Sequence, residues 1–240
     1  MKRVTQYPIF IELHVPEYYY DIHLTTWEEV AMIFVRQVAA TLHPEADDAV
    51  GQLTDEEIQQ LYIPNVSNLT ELKQYARGLF QQSQMNTRFY QHILPFIGAM
   101  LAITAEVVVD AADQEAFIAN AMDRVQEQAA AQEMSVADYT AQLMNQADNP
   151  EQALREAMEE EYIFRLVAEQ WYADQGYGLS ELDYEAYIQQ AVQKGDDEIE
   201  LRERFPYHVF ELDMPAMAYT DALFQFVKPK FRFIVDGAAN

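Results

Sequence analysis

The side chains best suited to proton transfer or metal binding in this chain are five histidines, and their placement argues against both. His14, His23, His43, His92 and His208 fall on different predicted elements. None sits in an HExxH pattern, and no Glu-x-x-His pair exists to build a zinc or helical di-iron site. Carboxylates are plentiful, but in the run Glu159-Glu160-Glu161 successive side chains fan around a helix, so it reads as a solvated face. The seven glycines form neither a phosphate-cradling loop nor a nucleophile elbow. With no cysteine, thiolate catalysis, disulfides and cysteine-ligated metals are excluded. The residues thus point away from an enzyme, a cofactor or a bound metal.

Charge narrows the partners. Asp and Glu number 40 against 15 Lys and Arg, a formal net charge of −25. A phosphate backbone needs dense positive charge, so nucleic acid is not an expected partner. The apolar run that opens "MKRVTQYPIFIELHV" is broken by Glu12 and His14 and does not read as a signal peptide. The most apolar later stretch, 93–103, is too short to span a bilayer. A cytoplasmic protein with no membrane partner is the expectation.

The elements are mostly helical. Alternation in "IFIELHV" (9–15) and "KFRFIV" (230–235) predicts two terminal strands, and with no other strand in sight they are expected to pair with each other. Between them the 3.6-residue apolar period predicts helices at 25–42, 54–62, 69–101, 110–133, 150–175, 181–194, 197–204 and 214–227. Pro95 should kink or split the third, and the tail of the fourth, "QEQAAAQE", has so little apolar bulk that it should project into water. In the helix from Pro150, Leu154, Met158, Tyr162 and Leu166 form one apolar row and Ile163, Val167 and Trp171 a second, a width that requires at least two packing neighbours. The fold class is all-α with a minor β element.

Helix starts repeat a grammar. "MSVADYTAQL" (134–143) and "LSELDYEAYI" (179–188) each place a Ser three residues before an Asp, the spacing of a capping box, inside a Met/Leu and Tyr staple. Thr25 with Glu28 and Thr54 with Glu57 are looser versions. Asn149, Pro150 and Gln152 open the longest helix, and Gly176 and Gly178 close it. The starts have no fixed period, so the chain is not a solenoid.

Taken in order, these pieces resemble the C-terminal, peptide-binding domain of trigger factor, a chaperone family. "LTDEEIQQL" followed by "VSNLTELKQYARGLF" is similar to its acidic turn and helix start. "AEVVVDAADQEAFIANAMDRVQEQAAAQEMSVADYT" is similar to the turn, arm helix and Met-Ser-x-x-Asp-Tyr restart. "LREAMEEEYIFRLVAEQWYADQGYGLSELDYEAYIQQ" is similar to the helix, turn and helix that close that domain. Upstream, "YPIFIELHVPEYYYDIHLTTWEEV" resembles the family's linker strand and the helix leading to its isomerase domain. Asp110 stands where the family prefers proline, and there is no room for an isomerase domain between Leu42 and Leu53. The family's ribosome-binding domain and its GFRxGK-type loop have no counterpart in the sequence and the acidic balance opposes ribosomal RNA, so neither ribosome docking nor isomerase activity is carried over.

The resemblance implies residues 1–52 as a linker-like strand and helix and 53–240 as a helical peptide-binding body with arms, the two forming one continuous unit. It implies a holder of unfolded or nascent polypeptides, without catalysis. Adaptable Met and aromatic side chains suit that task, and negative charge keeps it soluble. On the arms, Phe117, Met122 and Val125 would face Met134, Tyr139, Leu143 and Met144 across a cradle. The alternative use of such a surface is a scaffold for one fixed partner or a second copy of the chain. Because the repeated Ser-x-x-Asp reads as a cap rather than a binding motif, Ser135→Ala or Ser180→Ala should lower stability by about 0.5–2 kcal/mol, with no selective loss of polypeptide binding. Denaturant titration beside a binding assay checks this.

Overall fold

The computed structural model describes residues 3–144 and 148–236. In chain order come β1 (Val4–Gln6), β2 (Asp21–Leu24), α1 (Trp27–Leu42), α2 (Ala49–Gln52), α3 (Asp55–Gln59), α4 (Leu69–Arg88) and α5 (Leu94–Thr104). There follow β3 (Glu106–Val107), α6 (Ala111–Ala131), α7 (Val136–Leu143), α8 (Pro150–Asp174), α9 (Glu181–Gln193), α10 (Glu198–Arg204), α11 (Tyr207–Val227) and β4 (Arg232–Val235). The fold is all-α with a minor β element. Among the described residues no helix is long and apolar enough to cross a membrane. Contacts group the chain into two compact units: Met1–His14 with Leu94–Phe226, and Val15–Ile93 with Val227–Asn240. This grouping differs from a division at residue 52, because Val35 on α1 shares a core with Ile58 and Leu72.

In the second unit, α1 packs along α4. Thr26 caps α1, its hydroxyl accepting from the Glu29 amide at 3.1 Å. The cap is thus one residue later than the expected Thr25, and it frees Glu28 to bind Lys73 (2.5 Å) and Arg77 (3.5 Å) across the helix pair. Thr54 and Glu57 form the expected reciprocal box. The helical stretch from Leu69 changes to a π-helical turn at Phe89–Ile93, just before Pro95. A proline lacks the N–H that would bond four residues back, and a wide turn is one way the helix absorbs that.

The predicted terminal strands are half corrected. β4 forms as expected, but its partner is β2, in parallel register, with Asp21 opposite Arg232 and Leu24 opposite Val235. Arg232 binds Asp21 (2.7 Å) and Glu17 (3.0 Å) at one end of the pair, and His23 meets Asp236 (2.8 Å) at the other. Residues 9–15 are not a strand: Phe10–Glu12 is a 3-10 turn in which the Glu12 carboxylate accepts from the Ile9 amide at 3.0 Å. The turn points Phe10 and Leu13 inward at three-residue spacing and leaves Ile9 and Ile11 exposed. Phe10 then lies 5.4 Å from Tyr219, 5.7 Å from Phe226 and 6.0 Å from Trp171, ring to ring. That aromatic contact outweighs the alternation of isoleucines. In the first unit the small sheet is instead β1 antiparallel to β3.

The rest of the first unit is built on α8. The first apolar row, Leu154, Met158, Tyr162 and Leu166, is buried along it; of the second row Val167 is buried and Ile163 and Trp171 are half-buried, while Phe164 and Ala168 complete the buried face. They are met by α5, α6 and α7. Asp110 caps α6, accepting from the amides of Ala112 and Asp113. The tail of α6 is exposed except for Ala129, yet α7 folds back onto both α6 and α8. The Ser180 box is complete. At Ser135 the hydroxyl caps the Asp138 amide, but Asp138 takes the Ser135 hydroxyl (2.6 Å) rather than its amide. The last helix begins at Tyr207 instead of 214. Pro206 starts it, and Pro215 lies in its interior.

Three helices end in the same stop, where the second residue past the C-cap donates to the carbonyl five positions back. Tyr177 bonds Tyr172 and Asp196 bonds Ala191, through Gly176 (φ 75°) and Gly195 (φ 109°). Met134 bonds Ala129 through Glu133 (φ 55°). Only at Glu133 does a side chain bear the left-handed backbone. Glu133→Gly should therefore stabilise the fold by about 0.5–1 kcal/mol, the strain relieved outweighing the added chain entropy. A chemical-denaturation midpoint below that of the parent would contradict it.

Candidate functional site

The seven residues expected to line a cradle do not share one open surface. Phe117, Met122, Val125 and Met144 are half-buried and pack against Ile118, Ala121, Leu154 and Met158, the seam where α6 and α7 meet α8. The Phe117 ring lies 5.6 Å from Tyr162, with the Arg165 guanidinium 5.5 Å above it. Met134 and Tyr139 are half-buried, and Leu143 alone is exposed. α7 returns onto its neighbours and fills the space where a cradle was expected.

An open groove of about 640 Å³ lies elsewhere in the same unit. Local chain chemistry builds it. The stop at Gly176 turns the backbone left-handed and bonds the Tyr177 amide to the Tyr172 carbonyl. This carries the Tyr177 ring back to 5.0 Å from Tyr172 and 6.2 Å from Trp171. The Tyr172 hydroxyl donates to the Gly178 carbonyl at 3.3 Å, which pins the turn. Gly178 is required for space: a Cβ there would come within 2.4 Å of the Asp183 carboxylate.

Asp183 begins the second wall. Its Oδ2 accepts from the Ser180 amide (2.8 Å) and hydroxyl (2.6 Å). Those two bonds hold its pKa below the usual carboxylate range, so it is ionised at neutral pH. Ala186, Tyr187 and Gln190 follow on the same face of α9, and α11 contributes Phe210, Met214, Ala218 and Ala222 at helical spacing. Alanines on both helices leave the opening. Beneath it, Tyr184, Ile188, Leu201 and Phe210 form a buried core. Burial, followed by the nearby charge of Asp183, raises the Tyr172 hydroxyl pKa, and burial does the same at Tyr187. These hydroxyls stay neutral, and the groove offers contact area, ring faces and one fixed negative charge.

No group of three or more His, Asp or Glu among the described residues is placed to hold a metal ion. His43 and Glu57 meet at 3.2 Å and His23 and Asp236 at 2.8 Å, each a simple pair. The sequence did carry a signal for the groove: five aromatic residues lie between Trp171 and Tyr187, around two glycines. Trp171 belongs at the same time to an apolar stripe and Tyr184 to a helix-start staple, so the cluster does not stand out from ordinary packing. No protein-family model, curated protein or solved structure matches the chain.

Behind the groove, Tyr219 is fully buried, 5.3 Å from Trp171 ring to ring. Its hydroxyl has no hydrogen-bond partner among the described residues. Tyr7, whose hydroxyl binds Asp174 at 2.9 Å, has its pKa pushed up to about 12, by burial first and then by that carboxylate. A buried hydroxyl with no partner loses its hydration without return. Tyr219→Phe keeps the ring contacts and should leave stability unchanged or raise it by about 1 kcal/mol. A loss of more than that in urea titration would show that the hydroxyl holds a necessary bond.

Proposed function

We propose that this is a non-catalytic holding protein, a chaperone of trigger factor-like type that keeps unfolded or partly folded polypeptide from aggregating in the cytoplasm. The observation that carries this reading is the open groove lined by Trp171, Tyr172, Tyr177, Tyr187, Phe210 and Met214. Aromatic and methionine side chains give large, adaptable contact area with little specificity, as a holder of varied segments requires. Exposed Leu182, Ile199 and Leu212, on α9, α10 and α11, add apolar surface to the unit that contains it. The collinear resemblance of the sequence to the trigger factor peptide-binding domain supports the same reading. A net charge of −25 keeps such a surface soluble.

Light scattering tests it. Unrelated proteins unfolding in the presence of a stoichiometric excess should scatter much less than alone. Ala186→Trp, which adds bulk from an exposed position on the groove wall, should weaken that protection with the melting temperature unchanged. No protection by the parent protein sinks the reading. A cross-linked pull-down that returns one stoichiometric partner replaces it with a dedicated scaffold.

A further inference from the structure

The groove differs from a purely apolar cleft in one respect: ring faces surround a fixed negative charge. Its described lining contains four Trp or Tyr side chains, the Asp183 carboxylate, and no lysine or arginine. The face of an aromatic ring is electron-rich and attracts a cation held within about 6 Å of its centre. This chain already uses that attraction. Arg202 lies 5.7 Å over Tyr184, the neighbour of Asp183, and Lys230 lies 5.7 Å over Tyr20.

Charge at longer range points the same way. The unit holding the groove contains 28 of the 40 acidic residues and 8 of the 15 basic ones, a balance of −20 out of −25. A field of one sign concentrates counter-ions in a cleft. The positive end of α9, which would oppose a cation, is covered by the capping box that fixes Asp183.

We propose that this groove is a binding site for a small organic cation of the alkylammonium class, with a quaternary ammonium as the best fit. Hydrogen-bond capacity decides between cations. A primary ammonium brings three N–H donors and a guanidinium five, each needing an acceptor when it leaves water. Asp183 Oδ2 already carries two bonds and the Gly178 carbonyl takes the Tyr172 hydroxyl, so Asp183 Oδ1 and the tyrosine hydroxyl oxygens are what remains to receive three or five donors. A quaternary ammonium donates nothing and loses nothing there. It keeps its charge beside Asp183 and sets its methyl groups against Trp171, Tyr172, Tyr177 and Tyr187. The site stands whether or not the groove also holds polypeptide.

Isothermal titration of the full chain with choline, against the uncharged isostere in which a tert-butyl carbon replaces the nitrogen, tests this at matched ionic strength. Choline should bind at least about tenfold more tightly than the isostere. Tyr177→Leu, at an exposed ring, should weaken choline about tenfold while the melting temperature stays within error. Asp183→Asn, which retains a capping oxygen, should weaken it as well. Equal binding of choline and isostere overturns the proposal by showing an apolar cleft without charge selectivity. So does choline binding unaffected by Tyr177→Leu and Tyr187→Leu, which places the ligand elsewhere. Binding of an arginine-bearing peptide by a protein inert to choline also overturns it and assigns the groove to client side chains. Protection from aggregation is read separately by scattering, so either idea can fail alone.

Discussion

One helix sets the terms for the larger unit. α8 is 25 residues long and buries Leu154, Met158, Tyr162, Phe164, Leu166, Val167 and Ala168, a face too broad for a single partner. α5, α6 and α7 cover much of it, and Phe10 covers part of its C-terminal end from the amino-terminal segment. The arms of this unit are therefore walls of a core. What stays open is decided at the end of α8, where Gly176 stops the helix and Tyr177 turns back. The groove exists because a helix that must be buried has to stop somewhere, and it stops beside small side chains on α9 and α11.

Capping chemistry was the most legible part of the sequence. Thr54, Ser135, Asn149 and Ser180 all cap the helices they were expected to cap. Each signal involves a few neighbouring residues and needs no tertiary information. Pairing was the least legible. β2 contains Ile22 and Leu24 on one buried face, but four residues are too short for alternation to stand out. The longer alternation at 9–15 was overridden by Phe10, whose partners lie more than 150 positions away. The helix expected from 214 begins at Tyr207, which puts Pro215 in its interior. Proline at a helix start is a strong local signal, and its survival inside α11 depends on packing that no local pattern encodes.

The site shows the same division. Of the groove wall, Trp171 was legible as part of an apolar stripe, Gly178 as a helix stop and Asp183 as a cap partner, while Tyr172, Tyr177, Tyr187 and Phe210 carried no such signal. Tyr184 is a staple residue and is buried. Tyr187, one turn on along the same helix, belongs to the core and to the groove wall at once. A residue can be fully explained by packing and still present its other side to solvent. On the arms the structure adds what the sequence left out: Met122, Val125 and Met144 pack against partners on α8 that come from a different segment of sequence.

The parallel pairing of β2 with β4 has a consequence for how the chain is made. Asp21 and its partner Arg232 are 211 positions apart. At about 5–20 residues per second, synthesis leaves β2 without its neighbour for about 10–40 seconds. Through that interval α1 to α4 can assemble, while the strand beside them shows a bare edge to a crowded surrounding. The last described residues close that edge.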